Sequence, residues 1–262
     1  MAELLIKNSS VGCVRAVIFD KDGTLSNSED YLIELAITRI EFFKNKLKKL
    51  KINKFKIWFF CRLLASTYGL KNNCLLADES LAIASREHNI VSTATILNLF
   101  NFNWVQSLLI SQQIFDEVDM FLKDKKYNIQ GKKRIITGAE DLLISLKGDG
   151  VCIALMTNDT ESGIQEFISK NKLEGIFDYI WSSENKPSKP NPKAVIELCK
   201  RMKLNPTECA LISDADTDLK MAKEADIPIV IGFTGGWRIP PTLNEKQFII
   251  EKLNELNTQR NT

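Results

Sequence analysis

VIFDKDGTL, residues 17–25, is the stretch of this 262-residue chain that decides its fold class. With Ala16 it opens on four consecutive apolar residues that end at Phe19, with no polar alternation. A short run of this kind is typical of a parallel strand that is covered on both faces. Two carboxylates, Asp20 and Asp22, follow at once. By itself such an acidic pair is an ordinary solvated turn, so its meaning depends on the rest of the chain.

Two further apolar runs carry polar residues at their carboxyl ends. Thr157 and Asn158 follow the run IALM, and Asp214 and Asp218 follow the run CALI. Further strands are predicted at 227–231 and 179–181, and helices are predicted at 139–147, 160–170, 192–203 and 217–225. Strands that alternate with helices predict an α/β fold, a Rossmann-like doubly wound parallel sheet.

Residues 28–134 do not follow this alternation. They have helical apolar spacing at 32–43, at 75–88 and at 105–123, and no repeat. We therefore predict an inserted all-helical domain at 28–134. The catalytic core would be formed by residues 1–27 together with residues 135–262.

The carboxyl ends of the predicted strands carry the candidate chemistry. In an open α/β sheet these ends form the ligand crevice, so we expect Asp20, Asp22, Asp214 and Asp218 to converge there. Converged carboxylates repel one another unless a cation neutralises them, and a set of oxygen ligands favours Mg²⁺. Lys189, in the segment SKPNP, supplies a second positive charge. This combination suits phosphoryl transfer, which needs stabilisation of negative charge on the phosphate oxygens.

Four segments, taken in chain order, resemble the motifs of the haloacid dehalogenase superfamily. They are VIFDKDGTL, MTND at 156–159, KPNP at 189–192 and ISDADTD at 212–218. The helical insertion after the first motif is similar to the C1 cap of that family. The segments FTGGW at 233–237 and LNEL at 253–256 look most like the phosphoglycolate phosphatase branch.

This resemblance implies a role for each matched residue. Asp20 would be the nucleophile that forms an aspartyl-phosphate, and Asp22 would protonate the leaving alcohol and then deprotonate the attacking water. Thr157 and Lys189 would hold phosphoryl oxygens, and Asn158 would assist them. The remaining expectations concern the metal. Its expected ligands are Asp20, Asp22 (partly through its backbone carbonyl), Asp214 and Asp218. Alternatively, Asp218 positions Lys189.

The resemblance leaves alternatives open. Asp22 argues against dehalogenases and phosphonate hydrolases, which lack a carboxylate at this position. A β-phosphoglucomutase-like phosphomutase shares the motifs and the cap, and a non-catalytic binding protein could share the fold. Ser213 departs from the glycine usual before the fourth-motif aspartate, which could alter the local backbone. The substrate class that we expect is a small phosphorylated metabolite, of phosphoglycolate or sugar-phosphate type.

Composition limits the other functional classes. The net charge of +2 gives no reason to expect a nucleic-acid partner. Six scattered cysteines without paired spacing, and no secretory signal, predict a cytoplasmic protein. His88 is the only histidine, and we interpret it as a polar residue on a helix of the insertion.

The segment Lys44–Lys56 carries seven lysines in thirteen residues. The plainer interpretation is a solvated helix end with flanking aromatic residues in the core of the insertion. Two alternatives are a positive rim that attracts an anionic substrate and a contact with a membrane surface.

Overall fold

The computed structural model describes residues 1–127 and 135–260. The chain divides into two compact units, Met1–Ser28 with Lys133–Thr262 and Glu29–Lys132. We call the first the core unit and the second the helical unit. The assignment of residues 1–27 and 135–262 as catalytic core and of 28–134 as C1-type cap stays a prediction about the roles of these units.

The described residues form strands and helices in both units. In chain order, the strands are β1 (Ala2–Ile6), β2 (Ser9–Val14), β3 (Ala16–Phe19), β4 (Leu70–Lys71), β5 (Cys74–Leu75), β6 (Cys152–Met156), β7 (Tyr179–Trp181), β8 (Cys209–Ser213), β9 (Ile229–Phe233), β10 (Phe248–Ile250) and β11 (Leu256–Arg260). The α-helices are α1 (Glu29–Lys49), α2 (Lys54–Thr67), α3 (Ser80–Ile83), α4 (Arg86–Asn98), α5 (Trp104–Tyr127), α6 (Ala139–Gly148), α7 (Glu161–Asn171), α8 (Pro192–Met202) and α9 (Asp216–Glu224).

The core unit is built on a six-stranded parallel sheet with the order β10-β9-β8-β3-β6-β7. Strand β3 is central and fully buried. Its alternate side chains enter two apolar clusters, with Val17 and Phe19 in one and Ala16 and Ile18 in the other. Helices α6 and α7 supply the first cluster, and α8 and α9 the second. Helices therefore cover both faces, which confirms the predicted doubly wound α/β fold.

The predicted helices of the core unit are present within one or two residues. Thr160 caps α7, because its hydroxyl accepts a hydrogen bond from the backbone N–H of Gly163 at 3.2 Å. Helix α8 has Pro192 in its first turn, where a missing N–H costs nothing. These local signals determine where the helices begin. The parallel sheet then brings the loops between each strand and the following helix together at the carboxyl ends of the strands.

A second, antiparallel sheet of the core unit was missing from the sequence prediction. It has the order β11-β1-β2. Strands β1 and β2 are joined at Lys7 and Asn8, both with positive φ as a two-residue hairpin turn requires. Strand β10 was also missed. Strands β2 and β11 are largely exposed and carry no apolar run like those that revealed the central sheet, whereas β1 and β10 each have an apolar run of only three residues.

The helical unit is predominantly helical, as predicted, but it also contains the antiparallel hairpin of β4 and β5. This hairpin corrects the prediction of an all-helical insertion, and the helical stretch predicted at 75–88 is divided between the short helix α3 and the start of α4. The chain turns at Asn72 and Asn73, both with positive φ, and helix α4 starts only at Arg86, capped by Ser85. His88 lies exposed on α4, as its interpretation required.

The aromatic residues of the helical unit divide into two groups. Phe43 and Phe60 are buried and in ring contact, with centroids 5.4 Å apart. Phe55, Trp58 and Phe59 are exposed, so the prediction that they belong to the core of the insertion is wrong. The physical reason is the helical period, which turns Phe60 inward and these three residues outward. No helix of the described residues is long and apolar enough to cross a membrane.

Candidate active site

The candidate site lies at the carboxyl ends of the three central strands of the core unit. Because β3 pairs with both β6 and β8, the loops that leave these strands are neighbours. The backbone N–H of Asp20 continues the ladder by donating to the carbonyl of Ile212 at 3.0 Å. The register of the sheet thus holds the first carboxylate of the acidic turn at the end of β8.

Lys189 lies between two carboxylates. Its Nζ is 2.6 Å from Oδ1 of Asp20 and 2.5 Å from Oδ2 of Asp218, and it also donates to the carbonyl of Met156 at 3.2 Å. All three ionic side chains are buried. The positive charge that Lys189 was expected to supply thus lies against Asp20, and of the two roles open for Asp218, these contacts are those of a residue that positions Lys189.

The surroundings of the triad disfavour the ionised form of the Asp20 carboxyl group. Burial raises the pKa of Asp20 to about 6, with contributions from Asp218 and Asp22, and Lys189 offsets only part of this increase. Burial alone would lower the pKa of Lys189, but the charges of Asp20 and Asp218 raise it above its usual value. Lys189 is therefore a permanent cation that faces the nucleophile candidate.

Asp22 has a different set of partners. Its Oδ1 accepts hydrogen bonds from the hydroxyl of Ser28 and from Nζ of Lys21, the latter at 2.7 Å. Lys21 is buried and also lies 3.1 Å from Oδ2 of Asp159. Burial would raise the pKa of Asp22, yet Lys21 and the Ser28 hydroxyl hold it below its ordinary value. Asp22 is thus ionised in this conformation.

Asp214 is oriented by two donors. Oδ1 accepts from the hydroxyl of Thr24 at 2.7 Å, and Oδ2 accepts from Nε1 of Trp237 at 2.6 Å. Burial, followed by the charge of Asp20, raises its pKa well above the ordinary value. Gly23, at φ 81°, makes this approach possible, since a Cβ there would lie 2.2 Å from Oδ2.

The remaining predicted residues lie in the same loops. Thr157 is buried, and its Oγ1 accepts from the N–H of Asp159 at 3.1 Å, while Asn158 is half-buried beside it. Ser213 donates its hydroxyl to Oδ2 of Asp218 at 2.9 Å and accepts from the N–H of Ala215. It ends β8 without the positive φ that would demand glycine, so its departure from the motif leaves the strand intact.

Three residues of the site were not predicted. Lys21 stands between Asp20 and Asp22 in the sequence. A lysine in a turn that follows a buried strand needs an anionic partner, and this was the signal that could have identified it. Trp237 was quoted only within the segment FTGGW, and Ser28 carried no signal of its own. All three act through contacts that the tertiary fold creates.

The donor set fits Mg²⁺. Within residues 1–127 and 135–260, no group of three or more His, Cys, Asp or Glu side chains is arranged as a metal site. Mg²⁺ does not need one, because it usually keeps several waters and takes one or two carboxylates. Asp20 and Asp214 are both buried, and burial together with the negative charge of Asp20 raises the pKa of Asp214, a situation that a cation relieves. The side chains of Asp22 and Asp218 are held by the two lysines instead.

Comparison with known proteins assigns the chain to a family. The family model of haloacid dehalogenase-like hydrolases matches residues 14–226. The chain belongs to this family. The haloacid dehalogenase-like match spans β3, β6 and β8 and therefore includes every predicted site residue. It confirms the resemblance that the four sequence motifs indicated.

Relatives extend this comparison over nearly the whole chain. The chain is 25% identical over 245 residues to a phosphoglycolate phosphatase of Colwellia psychrerythraea, covering 92% of this chain and 94% of that one. Solved structures with the same fold include a predicted phosphoglycolate phosphatase from Haemophilus somnus 129pt (TM-score 0.62, 20% identity, 92% and 95% of the two chains) and a β-phosphoglucomutase from Clostridium difficile (TM-score 0.59, 19% identity, 92% of each). The prediction of a haloacid dehalogenase-type enzyme, a phosphatase, is confirmed.

Proposed function

We propose that this chain hydrolyses a small phosphomonoester, of phosphoglycolate or sugar-phosphate type, in a Mg²⁺-dependent reaction with Asp20 as nucleophile. The observation that carries the proposal is the buried triad in which Lys189 bridges Asp20 and Asp218. A carboxylate attacks an anionic phosphate only when nearby positive charge offsets the repulsion. Lys189 supplies this charge at 2.6 Å from the attacking group.

The first half-reaction transfers the phosphoryl group to the protein. An oxygen of Asp20 bonds to phosphorus, the ester P–O bond breaks, and Asp22 gives a proton to the leaving oxygen. Because Lys21 stabilises the ionised form of Asp22, Asp22 must take up a proton from solvent as substrate binding weakens this ion pair, and it releases that proton to solvent at the end of the cycle. Thr157, Asn158 and Lys189 are the proposed partners of the phosphoryl oxygens.

The second half-reaction returns the protein to its starting state. Asp22, ionised after it has lost its proton, removes a proton from a water that attacks phosphorus. The bond to Asp20 then breaks, and inorganic phosphate leaves. Mg²⁺, held by Asp20, Asp214 and the backbone carbonyl of Asp22, would neutralise negative charge on the transferring group.

The substrate class rests on the relatives. The full-length relative described above is a phosphoglycolate phosphatase, which favours a small, compact phosphorylated acid over a large substrate.

We also propose a cytoplasmic location, which agrees with six cysteines that are all free thiols.

The test is a phosphate-release screen over small phosphomonoesters with and without Mg²⁺. Asp20→Asn should abolish release, whereas Asp216→Asn should not, because Asp216 accepts from the N–H groups of Asn244 and Glu245 outside the triad. Failure of every substrate, or full activity of Asp20→Asn, would refute the proposal. Isomerisation of a sugar phosphate without net phosphate release would instead support a phosphomutase.

A further inference from the structure

The junction between α1 and α2 carries an uncompensated positive charge. Lys44 pairs with Glu41 at 2.8 Å, and Lys46 donates to Gln113 at 3.3 Å. The other lysines of the segment are exposed and make no ion pair with any described residue; they are Lys48, Lys49, Lys51, Lys54 and Lys56. Between residues 44 and 56 there is no carboxylate. The helical unit thus presents five free ammonium groups within nine residues of chain.

Large apolar side chains stand exposed at the same junction. Phe55, Trp58 and Phe59 are 68%, 53% and 45% exposed. Phe55 lies 5.8 Å from the ring of Trp58 and 6.4 Å from that of Phe59. The three rings therefore form one continuous apolar patch rather than separate exposed residues, and a patch of this kind marks an interaction surface.

A groove joins the cationic segment to the patch. It has a volume of about 530 Å³, with Ile40, Ile52, Ile57 and Trp58 among its apolar lining residues. Lys44, Lys48 and Lys54 also line it, and so does Glu41, which pairs with Lys44 and leaves the ammonium groups of Lys48 and Lys54 uncompensated. Apolar walls with ammonium groups beside them suit a ligand that is itself apolar at one end and anionic at the other.

We propose that the Lys44–Phe59 surface, formed by the lysines and the three aromatic rings, docks onto an anionic phospholipid bilayer. Trp and Phe side chains insert at the depth of the lipid headgroups, and lysine stems lie along the acyl region while their charges reach the phosphates. Interfaces between proteins are instead depleted of lysine. The exposure of both residue types on one surface therefore favours lipid over a protein partner. This inference does not depend on the proposed phosphatase reaction.

The experiment is co-sedimentation of the full chain with vesicles. Equal parts of phosphatidylglycerol and phosphatidylcholine should bind it, and phosphatidylcholine alone should bind it far less. Binding should weaken as salt is raised, because exposed charges are screened. Removing three lysines, in Lys48→Gln/Lys51→Gln/Lys54→Gln, should weaken partitioning roughly a hundredfold, since each lysine near an anionic surface contributes about one order of magnitude or slightly less.

Matched variants distinguish vesicle binding through this surface from attraction by positive charge elsewhere on the chain. Lys170→Gln/Lys193→Gln/Lys220→Gln removes the same charge from exposed positions of the core unit and should leave binding unchanged. Phe55→Ala/Trp58→Ala should reduce binding, whereas Ile144→Ala, at an exposed apolar residue of α6, should not. Thermal unfolding of each variant checks that its fold is kept.

Three outcomes overturn the proposal. They are absence of binding to anionic vesicles at low salt, equal binding to neutral vesicles, and equal loss in the two lysine triples. A chain that is oligomeric and becomes monomeric in Phe55→Ala/Trp58→Ala, with no vesicle binding, would assign the surface to a second copy instead.

Discussion

Nζ of Lys189 lies 2.6 Å from Oδ1 of Asp20, and the two residues are 169 positions apart in the chain. The pair is buried, and Asp218 contacts the same ammonium group at 2.5 Å. One cation thus compensates two carboxylates that would otherwise repel each other in a medium of low polarity. The following predictions test this arrangement and its neighbours.

Lys189→Met should both inactivate and destabilise the protein. It leaves Asp20 and Asp218 buried without their cation, which typically costs about 3–5 kcal/mol of unfolding free energy. Urea denaturation measures this cost. The control is Lys200→Met, whose ion pair with Glu197 is exposed and should change stability by less than about 1 kcal/mol. Equal effects of the two substitutions would contradict the structural role of the triad.

Asp218→Asn should separate the two roles that the sequence left open. If Asp218 positions Lys189, kcat/KM falls about tenfold to a hundredfold while the Mg²⁺ dissociation constant stays within about twofold. Calorimetric Mg²⁺ titration and steady-state kinetics measure the two quantities, with Asp216→Asn as the control. A large loss of Mg²⁺ affinity would show that Asp218 is a metal ligand after all.

Lys21→Met should shift the pH dependence of the reaction. Lys21 now holds the pKa of Asp22 below its ordinary value, so its removal raises that pKa. Because Asp22 must carry a proton in the first half-reaction, the alkaline limb of the kcat/KM profile should move to higher pH. The lowered pKa of Asp22 also stabilises the folded protein at pH values above the pKa of Asp22 in the unfolded chain. This stabilisation is lost as pH falls through the pKa of Asp22 in the folded chain, and it should be absent from Lys21→Met. Lys21→Arg keeps the charge and should retain most of the original profile; an unchanged profile in Lys21→Met would refute the role of the ion pair.

Trp237→Phe should weaken Mg²⁺ binding by about tenfold, the usual effect of losing a hydrogen bond that orients a metal ligand. The substitution removes the N–H that lies 2.6 Å from Oδ2 of Asp214 and keeps an aromatic ring. Calorimetry measures the affinity directly. Trp58→Phe, at an exposed position of the helical unit, is the control. Unchanged affinity in Trp237→Phe would mean that Thr24 alone suffices to orient Asp214.

Asp20→Asn should stabilise the metal-free protein at neutral pH. The folded pKa of Asp20 is about 6 against an ordinary 3.8, so its ionisation in the folded state is unfavourable. A shift of this size corresponds to about 3 kcal/mol. Because the pKa of Asp20 is raised by folding, the stability that its carboxyl group contributes is complete below the pKa of Asp20 in the unfolded chain. It is lost as pH rises through the pKa of Asp20 in the folded chain. The advantage of the variant should therefore grow from about pH 4 to pH 7.

Thermal unfolding at several pH values tests the Asp20→Asn prediction. Mg²⁺ should reduce the advantage of the variant, because the cation stabilises the ionised carboxylate of the unaltered chain. A constant difference between the two proteins at all pH values would contradict the assignment to Asp20.

The sequence by itself determined the doubly wound sheet and the positions of Asp20, Asp22, Lys189 and Asp214 as site candidates. For the three carboxylates it could do so because a buried strand leaves a local signature, an unbroken apolar run, and the loop that follows it must lie at the edge of the sheet. Lys189 was a candidate because its segment KPNP resembles a family motif. The caps of α7 and α8 were equally local.

Only the tertiary structure decided how these charges are paired. Lys21 lies against Asp22 and Asp159, Trp237 holds Asp214, and Asp218 turns to Lys189. The helical period puts Phe60 on a different face of α2 from Phe55, Trp58 and Phe59, but packing decided that the face with Phe60 is the buried one. The physical reason is that most of these contacts join residues distant in sequence, and their geometry depends on which loops and helix faces the fold brings together. Residue type alone shows that a buried charge needs an oppositely charged partner or that an aromatic ring favours burial. Which residue becomes that partner is determined only by the folded chain.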